Sequence, residues 1–130
     1  MKFNLEASIT VNQIHAYDDD HIVIRQQDSL EVVPLDTSLM VTPDQVISDW
    51  STNMLSAITE HDIHYLKQFE ADIILLVSHS TNYQFSFELI AQFARQNMTI
   101  ELMSLGAACR SYNLLILDER KVLLAIPFDK

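Results

Sequence analysis

Residues 72–77, DIILLV, form an unbroken apolar run of strand length, and residues 98–103, MTIELM, form a second apolar stretch. A run without polar alternation suits a strand covered on both faces. Between the two, Ser86 can cap a helix whose Leu89, Ile90, Phe93 and Ala94 share one apolar face, and Asn97 suits a left-handed exit. Strand, helix and strand over 72–103 predict a βαβ unit with parallel strands and a right-handed crossover. The loops after its strands, residues 78–84 and 104–106, then leave from one edge of the sheet. Open α/β sheets usually bind ligands at that edge. Ser78, His79 and Ser80 would there face Ser104, Gly106, Cys109 and Arg110 across one crevice.

The chain changes character near residue 52. Before it, residues 9–17 (ITVNQIHAY) and 21–25 (HIVIR) are rich in β-branched and aromatic residues. Asp18, Asp19 and Asp20 between them predict a hairpin turn. Two more short strands are expected at 29–33 and 38–41, separated by Pro34 and Asp36, and Pro43-Asp44 marks a further turn before Val46, Ile47 and Trp50. Past the change, Thr59 with Asp62 three residues on fits a capping box, and Ile63, Leu66 and Phe69 follow at helical spacing. A last helix is expected at about 106–117 and a last strand at 121–126.

A chain of 130 residues is one domain by length and can bury a core without metals or disulfides. Its net charge of −10 would repel a phosphate backbone, so neither nucleic acid nor an anionic membrane is expected as a partner. A single cysteine, Cys109, forms no internal disulfide, which fits a reducing compartment. The start MKFNLEASIT lacks an apolar signal-peptide core, and the runs ILLV and LLIL are far too short to span a bilayer. A soluble cytoplasmic protein is the expectation.

The stretch 104–113, SLGAACRSYN, holds the only glycine and the only cysteine. Three readings compete. Gly106 can permit a close backbone approach while the helix buries Ala108, Cys109, Tyr112 and Leu115. The helix N-terminus can bind an anion through the N–H groups of residues 106–109, with Arg110 adding charge. Cys109 can act as a nucleophile, its thiol activated by the helix start and Arg110, with His79 as base. In the anion reading Ser78 and Ser80 hydrogen-bond the ligand, and Asn113 or Tyr112 orients it. His61 and His64 sit at zinc-like spacing but lack a third ligand, and the aspartate triplet lacks the spaced ligands of a calcium loop. No metal or cofactor is expected, and no complete catalytic set, phosphate loop or nucleophile elbow is present.

GAACRSYN resembles the G-A-A-C-R-T-Y-N signature of a small family of unknown function. Its members include a mitochondrial complex I assembly factor and adipogenesis-associated domain proteins of animals, with a methanogen protein as structural prototype. The resemblance spans nearly the whole chain. Ile14, Tyr17, Ile22 and Ile24 look like the family's first hairpin. Ser29-Leu30 and Pro43-Asp44 through Trp50 look like its centre, and Ala125-Ile126-Pro127 like its ending. It implies a three-layer α/β domain with a mixed sheet, N-terminal hairpins followed by βαβ units. The chain departs from the pattern where Ser78-His79-Ser80 replaces a Gly-Thr-Gly-like turn. The resemblance supplies no reaction, and its mitochondrial members imply a role in assembling a respiratory complex. The leading expectation is therefore a non-enzymatic interaction or assembly protein, with Trp50 and the crevice loops meeting a protein partner. The alternative is a small-molecule or anion-binding protein, or an enzyme, with its crevice at 78–80 and 104–113. Exposed apolar surface, if the fold leaves any, would favour a homodimer.

Overall fold

The structure, a computed structural model, describes residues 11–19, 21–27, 29, 31–48, 50, 58–79 and 87–128. Its elements run β1 (Gln13–Tyr17), β2 (Ile22–Arg25), β3 (Val32–Leu35), β4 (Leu39–Val41), β5 (Val46–Ile47), α1 (Glu60–Lys67), β6 (Ile73–Val77), α2 (Phe87–Arg95), β7 (Ile100–Met103), α3 (Leu105–Leu117) and β8 (Val122–Ile126). Five strands form a mixed sheet in the order β5-β4-β8-β6-β7. β6 lies parallel to both β7 and β8, while β4 runs antiparallel to β8 and β5. β1, β2 and β3 make a separate antiparallel sheet.

The alternation of side chains along the central strands builds the layers. On β6, Ile74 and Leu76 point to one face and Leu75 and Val77 to the other. On β8, Leu123 and Ala125 join the first pair, and Val122, Leu124 and Ile126 the second. The first face is covered by α1 and α2, through Ile63, Leu66, Leu89 and Phe93, with Trp50 packed among them. The second face is covered by α3 and by Ile14, Ile22 and Ile24 of the small sheet. The result is three layers around one mixed sheet, as expected. Truncating a side chain at the centre, such as Leu124, removes contacts on the α3 face at a cost of about 2–5 kcal/mol.

The connections explain why the helices divide. From β6 the chain crosses to β7 on the outer side, then returns past β6 to β8. Two right-handed crossovers running in opposite directions across a sheet must place their helices on opposite faces. α2 and α3 are so placed.

Thr59 and Asp62 form the expected capping box: the Asp62 carboxylate accepts from the Thr59 N–H at 2.9 Å, and Thr59 Oγ1 accepts from the Asp62 N–H at 3.4 Å. Two expectations change. Pro34 does not separate strands but lies inside β3, opposite Val23. β3 is an edge strand, where a missing N–H need not cost a ladder bond. Ile90 and Ala94 are exposed, because in this short helix Leu89 and Phe93 alone take the stripe facing the sheet. Ser86 lies outside the described residues.

The helix exits show what a chain nearly without glycine must do. Glu70, Asn97 and Glu119 all take positive φ, at 51°, 57° and 58°. Asn97 is the expected residue, and the two glutamates follow α1 and α3 in the same conformation. After α3 the N–H of Glu119 donates to Ile116 O and that of Arg120 to Leu115 O, the paired bonds of a Schellman exit. A β-carbon in this region is strained by about 1–2 kcal/mol, partly offset by the lower chain entropy of a non-glycine residue. Glu119→Gly should therefore raise stability by about 1 kcal/mol, read as a higher urea midpoint with unchanged m-value.

Candidate functional site

The crevice expected from the βαβ unit lies where β6 and β7 end. The N–H of Ser78 donates to Met103 O at 2.8 Å, so the two strand exits are held side by side. The chain after β6 goes to the α2 face and the chain after β7 to the α3 face. This is a topological switch point, the place where such sheets open a cleft. Ser78 and Ser104 therefore share one rim, and Ser104 caps α3, its Oγ accepting from the Ala107 N–H at 3.4 Å. His79 leans toward the exit of β8. Its Nε2 lies 2.7 Å from Pro127 O, which can only accept, so Nε2 carries the proton. Its ring stacks on Phe128 at 5.1 Å. Phe128 is pinned in turn, its N–H donating to Ser38 Oγ at 2.8 Å. Ser80 lies outside the described residues.

The other site candidates are committed to the fold. Gly106 has no positive φ; its role is close approach. A β-carbon there would lie 3.1 Å from Arg110 Nη1 and 3.2 Å from both Cε2 and the hydroxyl of Tyr17. Those two side chains meet over the glycine, Arg110 Nη1 donating to the Tyr17 hydroxyl at 2.6 Å. Cys109 is 1% exposed inside the core. Burial pushes its thiol up to about 12, with Arg110 pulling the other way. At neutral pH it is a protonated, packed side chain, and the nucleophile reading fails on that ground. Tyr112 is fully buried and donates its hydroxyl proton to Asn12 O at 2.9 Å. Its pKa is raised by burial and by the nearby Asp44 charge.

Asn113 does the work of a missing strand. Its Nδ2 donates to Ile14 O at 2.9 Å, and its Oδ1 accepts from the Ile14 N–H at 3.0 Å. Both groups lie at the border of β1 away from β2, so the amide closes an edge that would otherwise offer unpaired backbone. The anion reading also loses part of its donor set. The N–H of Ala107 is held by Ser104 Oγ and that of Ala108 by Ser104 O at 2.9 Å. The structure thus brings Ser78 and Ser104 to one rim with His79 beside it, while Cys109, Tyr112 and Asn113 point into the molecule.

Trp50, expected to meet a partner, is only 7% exposed, and among the described residues no hydrogen-bond partner reaches its Nε1. His61 and His64 are exposed on α1. Among the described residues no group of three or more His, Cys, Asp or Glu is placed to hold a metal ion. Sequence reasoning missed Asn12. This buried residue donates through Nδ2 to Thr42 O and Gln45 O at 2.9 and 3.1 Å and accepts from the Gln27 N–H at 2.8 Å. It is one of two adjacent amides in the strand-like run TVNQI, and nothing in the sequence singles it out from Gln13.

A family model described as a protein of unknown function (DUF498/DUF598) matches residues 14–127. Comparison with curated proteins gives no match. Among solved structures, an NMR structure of a Xanthomonas campestris protein superposes with a TM-score of 0.77 at 23% identity, covering 99% of this chain and 93% of that one. A Bordetella parapertussis crystal structure gives 0.77 at 21% identity over 92% of this chain and 98% of the other. A Bordetella pertussis protein described as a Mth938-like domain gives 0.75 at 19% identity over 99% and 93%. At these identities the likeness is one of fold.

Asn113→Asp keeps the shape of the amide but cannot donate to Ile14 O. It should destabilise the protein by about 1–3 kcal/mol in urea unfolding at neutral pH. Cys109 sets a pH dependence with a definite sign. The unfolded thiol releases its proton near its ordinary value of 9.0 and the folded one near 12. Its contribution is therefore complete below pH 9 and is lost as pH rises from 9 toward 12. Cys109→Ala should show a shallower fall of stability across that alkaline window than the wild type, with the slope from Tyr112 remaining.

Proposed function

Because the chain belongs to the DUF498/DUF598 family of proteins of unknown function, we propose a reading from its own side chains: a protein-binding, assembly-type module that catalyses no reaction of its own. The observation that supports it is the use made of the signature. Gly106, Cys109, Arg110, Tyr112 and Asn113 are all engaged in packing α3 or fastening it to the small sheet. A motif spent on internal contacts leaves recognition to the surface. There α3 presents Leu114 and Leu117, 68% and 71% exposed and three residues apart on one face. Exposed leucines on one stripe suit a protein partner. The resemblance to the mitochondrial complex I assembly factor makes respiratory-complex assembly the first setting to test.

A second reading keeps the crevice as an anion or small-molecule site, supported by the switch point that joins Ser78 to the start of α3. One experiment separates the two. Tagged wild type, Leu114→Asp/Leu117→Asp and Ser78→Ala/His79→Ala are each used to capture proteins from native lysate, after urea unfolding confirms that all three fold. The first reading expects a defined protein partner retained by the wild type and the crevice variant and lost by the α3 variant. Loss with the crevice variant alone moves the protein contact to the crevice and overturns the α3 surface, whereas a saturable amide shift at Ser78 and Ser104 on titration with inorganic phosphate, absent from the crevice variant, favours the second reading. Capture that does not differ among the three overturns the proposal. A second copy of the chain among the captured species would identify the stripe as a dimer surface.

A further inference from the structure

A cavity of about 590 Å³ opens at the other edge of the five-stranded sheet, where β6 and β8 begin. It lies at the end of the sheet opposite the crevice. One wall is apolar: Tyr65 and Phe69, at the end of α1, meet edge to face at 5.5 Å, with Val122 of β8 beside them. Its volume falls in the range of about 300–1,000 Å³ that holds small molecules.

The charges on the lining select the ligand. Asp44 and Lys121 are both on the lining. Asp44 accepts a hydrogen bond from the Thr42 hydroxyl at 3.0 Å, which fixes one carboxylate oxygen without neutralising it. Among the described residues no carboxylate pairs with the Lys121 ammonium; the neighbouring ion pair joins Arg120 to Asp72. Asp44 and Lys121 thus line one cavity without forming an ion pair with each other. A ligand of one charge would satisfy one of them and be repelled by the other. A molecule with an anionic and a cationic end would satisfy both. Gln45 and Gln68 are also on the lining, and a side-chain amide offers both a donor and an acceptor.

We propose that this cavity binds a small zwitterion carrying an apolar side group, a free amino acid or dipeptide in chemical class. Its carboxylate pairs with Lys121, its ammonium with Asp44, and its side group lies against Tyr65 and Phe69. Binding here is independent of the partner stripe on α3, so failure of either leaves the other standing.

The test is an amide-shift titration of the full chain with L-phenylalanine and, separately, with the dipeptide Phe-Leu. Phenylacetate and phenethylamine, each carrying one of the two charges, serve as controls. The expected result is a saturable shift confined to residues 42–45, 65–69 and 121–122 with at least one zwitterion, and binding at least about tenfold weaker for both controls. Which zwitterion binds more tightly reports the spacing of the two charges. Lys121→Gln and Asp44→Asn should each weaken binding by about tenfold or more. The amide oxygen introduced by Asp44→Asn would still accept from the Thr42 hydroxyl, so an unchanged thermal midpoint separates lost charge from lost structure. No saturable shift with either zwitterion, controls that bind equally well, or variants that bind as the wild type does would each overturn the proposal.

Discussion

The attachment of α3 to β1 is the interaction on which the rest of this molecule rests. A three-stranded sheet of short strands has little stability alone and needs a partner for its apolar face. Ile14, Ile22 and Ile24 find that partner in α3 and the central sheet. Burial by itself would let the small sheet slide. The directional bonds of Tyr112 to Asn12 and of Asn113 to Ile14 fix where it sits. Asn12 extends the same tie to the β4–β5 turn and to Gln27, so a few side-chain amides and one phenol hold two sheets in register.

This changes the meaning of the most distinctive stretch in the sequence. A lone thiol at a helix start beside an arginine has the outline of reactive chemistry. In the folded protein the thiol lies in the core, the arginine is bonded to a tyrosine hydroxyl, and the glycine beneath them makes room for that pair. A string of residue types that suits an active site equally suits a helix that must bury one face and bond through another. Only the three-dimensional neighbours distinguish the two, and the bonding partners of Arg110, Tyr112 and Asn113 all lie more than ninety residues away in the chain.

What could be read from the residues follows the range of the interaction. The capping box at Thr59, the αL exit at Asn97, the parallel pairing of β6 and β7 and the shared rim of Ser78 and Ser104 depend on neighbours or on the rules of a single crossover, and all were legible. The left-handed glutamates were not, because nothing local favours a glutamate there; the helix exit imposes it. Pro34 read as a separator because its edge position depends on the strand order. Trp50 could be read as an anchor or as packing, and its burial favours packing; Ile90 read as core and is exposed, since each depends on which face of an element meets the sheet. The cavity at Asp44 and Lys121 gave no signal, because its two charges are brought together from distant segments.

The Asn113 amide also joins two tasks that are separate in most β-proteins. By occupying the outer border of β1 it both locates the helix and keeps that border from recruiting a foreign chain. Across the small sheet, the opposite border carries the Pro34 ring, which offers no donor to an incoming segment. Anything that pries the helix away therefore frees the Ile14 backbone groups in the same motion, and a strand border so freed is one that another chain can pair with.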